Sequence, residues 1–301
     1  MLFRSEKLNS GVPTIYEDLL EPTLKEDLLH GNLKFTSKIE ELSDCKLIFI
    51  AVGTPTIETE DGNYRQNLDY LYKAVEDIVN VTSDEITLVI KSTVLPGTCS
   101  GLQNNVPERV QICNNPEFLR EGFAIIDFLH PDRVVLGIND SPRYVETREL
   151  LVSLYDPICS KERIIVTETS VSEAVKYVSN DMCANRLNKV NEYRTLFNWM
   201  SDGQFSKLMI SVGLDTRIGP KFLVSGPGWG GSCFRKDSGA LISYAVDHNF
   251  TEKELPTLFS VNKSNLARVN YIAGNINGVI AFNGKYINNI YISKACEEGI
   301  E

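Results

Sequence analysis

One cysteine set in a glycine-dense run, Gly226-Pro227-Gly228-Trp229-Gly230-Gly231-Ser232-Cys233-Phe234-Arg235-Lys236-Asp237, is the feature of this chain best suited to covalent chemistry. Glycines let the backbone come close to a ligand. A helix expected to start just beyond the run supplies unpaired N–H groups and partial positive charge, both of which favour a thiolate. Cys233 is therefore a candidate nucleophile, the alternative being a buried structural cysteine beside a tight turn. Gly226, Gly228 and Gly231 also spell the G-x-G-x-x-G of dinucleotide-binding turns. That fingerprint needs a buried strand before it and an acidic strand end roughly 20 residues after it. Here Arg217-Ile218-Gly219-Pro220-Lys221 precedes the run and residues 238–246 read as a helix, so the dinucleotide reading fails.

The elements that must position such a thiol fall into two regimes. Buried-strand runs at 47–52, 86–90, 110–113, 134–137 and 164–167, with a weaker one at 33–36, alternate with helical periods at 68–79 and 144–154. This pattern predicts an α/β fold built on a partial Rossmann-like parallel sheet covered on both faces. From 170 to about 200 the apolar stripe Val171, Ala174, Val175, Val178, Met182, Leu187 and Val190 predicts one long helix, and the chain stays helical to 267 apart from the glycine run. The expected domains are 1–168, 169–267 and 268–301, the last containing a strand at 284–292 that would open a further α/β unit.

Composition narrows the function. At 301 residues and 43% apolar content the chain can bury sizeable cores, enough for about two domains. A net charge of −10 spread along the sequence argues against nucleic-acid binding and offers no basic patch to a membrane. Seven cysteines without C-x-x-C spacing fit a reducing cytoplasm, and three dispersed histidines predict no metal site. Residues 1–7 lack the apolar core of a signal peptide, and no apolar run reaches the ~18 residues that span a bilayer.

Several motifs in order carry a resemblance. Ala51-Val52-Gly53-Thr54-Pro55-Thr56, Lys91-Ser92-Thr93-Val94, Asn115-Pro116-Glu117-Phe118-Leu119-Arg120-Glu121-Gly122, Pro131-Asp132-Arg133-Val134-Val135, Glu173-Ala174-Val175-Lys176-Tyr177-Val178-Ser179-Asn180, Asp215-Thr216-Arg217-Ile218-Gly219 and the Cys233 run together resemble the UDP-glucose/GDP-mannose dehydrogenases. Phe234 and the Pro131-Asp132-Arg133 triplet favour the UDP-glucose branch. The resemblance implies oxidation of a nucleotide sugar, UDP-glucose foremost, at C6 from alcohol to carboxylate with NAD as cofactor, through a thiohemiacetal and thioester on Cys233.

The same resemblance assigns roles. Lys176 and Asn180, four apart on the long helix, would share a face and donate toward an oxyanion, where otherwise they would be a solvated helix face. Thr93 would orient a water or hydroxyl, and is otherwise a strand-to-turn cap. Glu117 would be the general base of thioester hydrolysis and Glu121 a support of the cofactor site, the two lying on what reads as a single helical turn; the plainer reading is two surface carboxylates. Asp237, four after Cys233, would help position water or Lys176, or else simply complement a helix dipole. Val52, Gly53, Thr54 and Pro55 would touch the cofactor with Thr93. Phe118, Leu119, Lys176, Asn180, Arg217, Phe222 and Gly230 would touch substrate. Arg217 matches an arginine that reaches in from a partner subunit, which implies a homodimer.

Relative to the family, the first strand, Gly-rich turn, helix and second strand are absent from this sequence, as is the C-terminal nucleotide-binding domain. The expectation is a chain truncated at both ends. It leaves an alternative function, a catalytically inactive relative that acts as a dimerisation or binding module, pairing with itself or with a full-length relative.

Overall fold

Strands form where β-branched runs can be covered on both faces. The computed structural model describes residues 2–58 and 64–274. Its described strands are β1 (Leu47–Ile50), β2 (Thr56–Glu58), β3 (Tyr64–Gln66), β4 (Ile86–Ile90), β5 (Val110–Asn114), β6 (Val134–Ile138) and β7 (Ile164–Thr167). The helices are α1 (Leu2–Asn9), α2 (Leu20–Leu29), α3 (Asp69–Val81), α4 (Thr98–Gln103), α5 (Ala124–Leu129), α6 (Tyr144–Tyr155), α7 (Thr169–Leu196), α8 (Asp202–Gly213), α9 (Gly231–Asp247) and α10 (Pro256–Gly274).

Five strands make one sheet in the order β1-β4-β5-β6-β7. Along β4 the side chains alternate between two cores. Ile86, Leu88 and Ile90 pack with Leu71, Val75 and Ile78 of α3, while Val89 packs with Cys113, Leu136, Leu151 and Tyr155 on the other face. Double coverage is why this strand reads as an unbroken apolar run.

The sheet corrects the expectation of a purely parallel arrangement. β1–β4, β4–β5 and β6–β7 are parallel, but β5 and β6 are antiparallel, joined by Cys113↔Ile138 and Asn114↔Gly137. The connection 115–133 contains only the six-residue α5, with Pro116 and the left-handed Gly122 (φ 84°) ahead of it. No helix in it is long enough to carry the chain back across the sheet, so it reverses where β5 ends. The start of β6 therefore lies beside residues just past β5, where the Asn115 side chain donates to the Val135 carbonyl at 2.9 Å.

The weak strand expected at 33–36 is irregular backbone instead. Asn9 takes the place of a neighbouring strand there: its Nδ2 donates to the Phe35 carbonyl at 2.7 Å and its Oδ1 accepts the Phe35 N–H at 2.9 Å. The long helix ends at Leu196 rather than near 200, and Ser201 starts α8 with a capping box to Gln204. The strand expected at 284–292 lies outside the described residues.

The chain forms two compact units, Met1–Thr54 with Asn67–Lys176, and 55–66 with the described residues from Tyr177 onward. The first is the sheet with its helices. The second holds most of α7, with α8 to α10 and the antiparallel β2–β3 pair, which packs on α9. Its apolar clusters are Val190, Phe205, Met209 and Leu223, and Ala184, Trp229 and Val261.

Gly137 on β6 shows how tightly the first turn of α7 seats on the sheet: a Cβ there would lie 2.1 Å from Ser172 Oγ and 2.8 Å from Thr169 Cα. Gly137→Ala is expected to lower the unfolding free energy by about 1–3 kcal/mol. Gly53→Ala, where a Cβ meets nothing within 4 Å, is expected to change it by less than about 0.5 kcal/mol, both read from urea denaturation.

Candidate active site

In a parallel sheet the loops at the carboxyl ends of the strands are where ligands collect. Here the loops after β1, β4 and β5 are stitched to one another. Thr54, buried, donates from Oγ1 to the Thr93 carbonyl at 2.8 Å, and Ser92 Oγ donates to the Val52 carbonyl at 2.7 Å. Gly53 stays exposed between them.

After β5 the chain runs Asn115-Pro116-Glu117 without helix, which corrects the single-turn placement of Glu117 and Glu121. Pro116 disfavours helix at Asn115, and the Glu117 carboxylate folds back to accept the Leu119 N–H at 2.8 Å. Glu117 thus turns toward the first unit's end of α7, and its Oε1 receives Lys176 Nζ at 2.7 Å. Glu121 and Leu119 are exposed. Lys176 is 4% exposed. The Phe118 ring also faces cations, with Arg133 Cζ 3.9 Å and Lys176 Nζ 5.7 Å from its centroid.

Lys176 is placed by the anchoring of α7. Three residues earlier, the buried Glu173 carboxylate accepts the Gly97 N–H on Oε2 and the Cys99 N–H on Oε1, each at 2.7 Å. Ser172 Oγ donates to Asn114 Oδ1 at 2.6 Å, and Thr169 donates to Asn139 Oδ1 at 3.0 Å. Burial raises the Glu173 pKa, opposed by its two backbone donors. Sequence reasoning missed Glu173, although its place three residues before Lys176 on the same helical face was a usable signal.

The second unit carries the thiol. Cys233 lies inside the first turn of α9, not ahead of it, and is exposed. The preceding run is fixed by two asparagines: Asn265 bonds both the N–H and the carbonyl of Trp229 at 2.8 Å, and Asn188 Oδ1 accepts the Trp229 indole N–H at 2.7 Å. Gly228 (φ 135°) passes so close to Asn265 that a Cβ would stand 2.9 Å from its Oδ1. Phe234 packs edge-on against Trp229, ring centroids 5.8 Å apart.

One turn beyond the thiol, Asp237 is 1% exposed; it accepts Asn180 Nδ2 at 2.6 Å, with Lys236 Nζ 3.5 Å from its other oxygen. The β2–β3 pair covers α9 at Gly239, where a Cβ would lie 2.7 Å from the Tyr64 ring, and Arg235 donates to the Tyr64 hydroxyl at 2.7 Å. This pair was also missed, since residues 56–66 show no apolar alternation. Of the other expected substrate contacts, Arg217 is exposed and held bidentate by Asp215, Phe222 is exposed with φ 60°, and Gly230 is the N-cap of α9. Pro55 is exposed.

The structure thus brings Glu117, Phe118 and Lys176 together in one unit, and in the other Asn180 of α7 with Asp237 of α9, the helix that carries Cys233. For NAD, Gly53 is the open position of residues 52–54, since the Thr54 hydroxyl and the Val52 carbonyl are bonded to the loop after β4. Neither α3, which opens with Asp69, nor α4, whose Gly97 and Cys99 N–H groups are occupied by Glu173, offers a pyrophosphate cradle. Among the described residues no cluster of His, Cys, Asp or Glu could hold a metal, and no helix is long and apolar enough to cross a membrane.

Comparison with known proteins agrees with these elements. Residues 4–159 match the model of the UDP-glucose/GDP-mannose dehydrogenase family, NAD binding domain, and residues 170–265 that family's central domain. UDP-glucose 6-dehydrogenase of Rickettsia felis is 38% identical over 262 residues, 85% of this chain and 56% of that protein. UDP-glucose 6-dehydrogenase YwqF of Bacillus subtilis is 33% identical over 87% of this chain and 59% of its own length. The structure of a UDP-glucose dehydrogenase from Pyrobaculum islandicum superposes with a TM-score of 0.79 at 32% identity, covering 89% of this chain and 61% of that one. The chain therefore spans a little over half the length of the curated relatives it matches.

Two outcomes are expected. Iodoacetamide at pH 8 labels Cys233 at least about 100-fold faster than Cys99 or Cys113, measured by peptide mass spectrometry, because burial raises both of those thiols, Cys113 to about 12. Glu173→Gln, whose amide presents one acceptor oxygen to two backbone donors, lowers stability by about 1.5–3 kcal/mol in thermal unfolding.

Proposed function

The chain belongs to the UDP-glucose/GDP-mannose dehydrogenase family, and from that premise we propose that it serves the NAD-dependent oxidation of a nucleotide sugar, UDP-glucose foremost, from C6 alcohol to carboxylate. The observation that carries this reading is the buried Lys176 ammonium held 2.7 Å from the Glu117 carboxylate, which pairs a proton donor with a proton acceptor in a setting poor in water.

In this reading the Lys176 ammonium, with Asn180, donates to the C6 oxygen as negative charge builds on it. Cys233 adds to the C6 aldehyde, giving a thiohemiacetal; loss of hydride from that carbon leaves a thioester. Glu117 takes a proton from the water that attacks the thioester, and the thiol leaves as the carboxylate forms. Asp237 orients Asn180 through their 2.6 Å bond. NAD⁺, when bound, supplies the hydride acceptor for both oxidations, its nicotinamide end meeting residues 52–55 and Thr93. Phe118, Leu119, Arg217, Phe222 and Gly230 contact the sugar nucleotide, and Glu121 supports the cofactor end. A covalently held aldehyde cannot escape between the steps.

The same reading includes self-association through α7, supported by the exposed apolar side chains Val178 and Met182 one turn apart, and a cytoplasmic setting, where a reactive thiol stays reduced. The alternative of a non-catalytic binding module is less well supported, because it leaves the Lys176–Glu117 and Asn180–Asp237 pairs without a use.

The test is NADH formation from NAD⁺ and UDP-glucose by the purified chain beside Cys233→Ala. The expected result is about two NADH per sugar, with acid formation reduced at least about 1000-fold in the variant, which still folds. Equal turnover by the variant would remove Cys233 from the mechanism; a folded wild-type chain without turnover would remove the oxidation reading for this chain.

A further inference from the structure

Lys91 has no place in the mechanism above, yet it joins the loops after β4 and β5 in the first unit. It is the residue immediately after β4, whose five residues are all buried. Its Nζ donates to Asn115 Oδ1 at 2.9 Å, approaches the Asn115 carbonyl at 3.5 Å and lies 5.9 Å from the Tyr155 ring centroid. Asn115 is 2% exposed and engaged on every side. Its N–H donates to the Ile90 carbonyl and its Nδ2 to the Val135 carbonyl, each at 2.9 Å, while Oδ1 also accepts the Tyr155 hydroxyl. Pro116 follows, and then Glu117. A residue clamped at four points and followed by proline leaves little freedom in where the next carboxylate stands.

A positive charge is not needed merely to satisfy Asn115, because the Tyr155 hydroxyl already donates to the same oxygen. A half-buried lysine here pays a desolvation cost that a neutral side chain would avoid. What the ammonium adds is charge that attracts the Glu117 carboxylate, opposed by the nearby charge of Lys176. The charged and titratable groups that act on it are Glu117 from the loop after β5, Lys176 from α7 and Tyr155 from α6.

We propose that Lys91 is a positioning residue of this site, which fixes the Asn115-Pro116-Glu117 segment through Asn115 and uses its ammonium to hold the Glu117 carboxylate in its place beside Lys176. The part played by Glu117 rests on the oxidation reading; the clamp on Asn115 does not. The proposal has a pH signature. Burial first, and then the Lys176 charge, lower the Lys91 pKa to about 8, against the opposing pull of Glu117. Below about pH 8 the ammonium is present and the segment is held; above it the amine is neutral, a weaker donor without attraction for Glu117.

Two measurements on the full chain separate this proposal from the reading it builds on. In asparagine-labelled protein, the Asn115 side-chain amide signals are expected to shift with a midpoint near pH 8, and to stay still in Lys91→Met. In steady-state oxidation of UDP-glucose, Lys91→Met is expected to lower kcat about tenfold with the sugar KM within about twofold, and to lose the fall in kcat near pH 8 that the wild type shows. Lys91→Arg is expected to restore most of kcat without that fall. Tyr155→Phe, which removes the other donor to Asn115 and leaves the charge, is expected to keep kcat within about threefold. Asn115 signals that do not titrate, a Lys91→Met enzyme with wild-type kcat and pH profile, or a Tyr155→Phe loss as large as that of Lys91→Met would each overturn the proposal. If the wild-type chain forms no NADH, the oxidation reading fails and the Asn115 titration alone decides the role of Lys91.

Discussion

The Glu173 carboxylate, buried and shared between the N–H groups of Gly97 and Cys99, fixes where α7, the longest of the described helices, begins. Two charge-assisted bonds from one side chain to a loop after β4 set both the position and the rotation of the first turn of α7. Gly137 permits the approach, because any side chain at that point of β6 would occupy the space of Ser172. With the helix phase set, Lys176 three residues later can turn toward only one region, and Glu117 is what it meets there.

The carboxylate it meets is itself a product of topology. Had β6 run parallel to β5, the connection would have had to cross to the amino ends of the strands before β6 began. The reversal keeps residues 115–122 at that end, where Asn115 bridges β4 and β6 and Pro116 stiffens the exit. The ion pair that results is nearly removed from water on the lysine side. Such a pair adds little net stability once desolvation is counted.

The cysteines sort by the same physics. Cys99 of α4 and Cys113 of β5 are both buried, and burial holds their thiols protonated. Cys233 lies in the exposed first turn of α9, after a loop that Trp229, Asn188 and Asn265 pin from behind. A thiol with access to solvent on a rigid support is the arrangement nucleophilic catalysis requires. Residue type alone does not separate the three.

Much of this was legible in the linear order of residues. Unbroken apolar runs gave the five strands of the main sheet to within two residues, a 3.6-residue period gave α3, α6 and α7, and the ordered motifs around Gly53, Thr93, Glu117, Lys176 and Cys233 gave the family. Those are local signals: which side chains can be buried on both faces, and which backbone positions need glycine or proline. The antiparallel turn of β6, the irregular run at 33–36 held by Asn9, the loop conformation of Glu117 and Glu121, and the partners of Lys91 and Glu173 were decided only in three dimensions. The β5–β6 pairing, the Asn9 ties to Phe35 and the partners of Lys91, Lys176 and Glu173 join residues from 20 to 76 positions apart, and no period or propensity within one segment records which distant groups will satisfy a buried charge or an unpaired backbone donor.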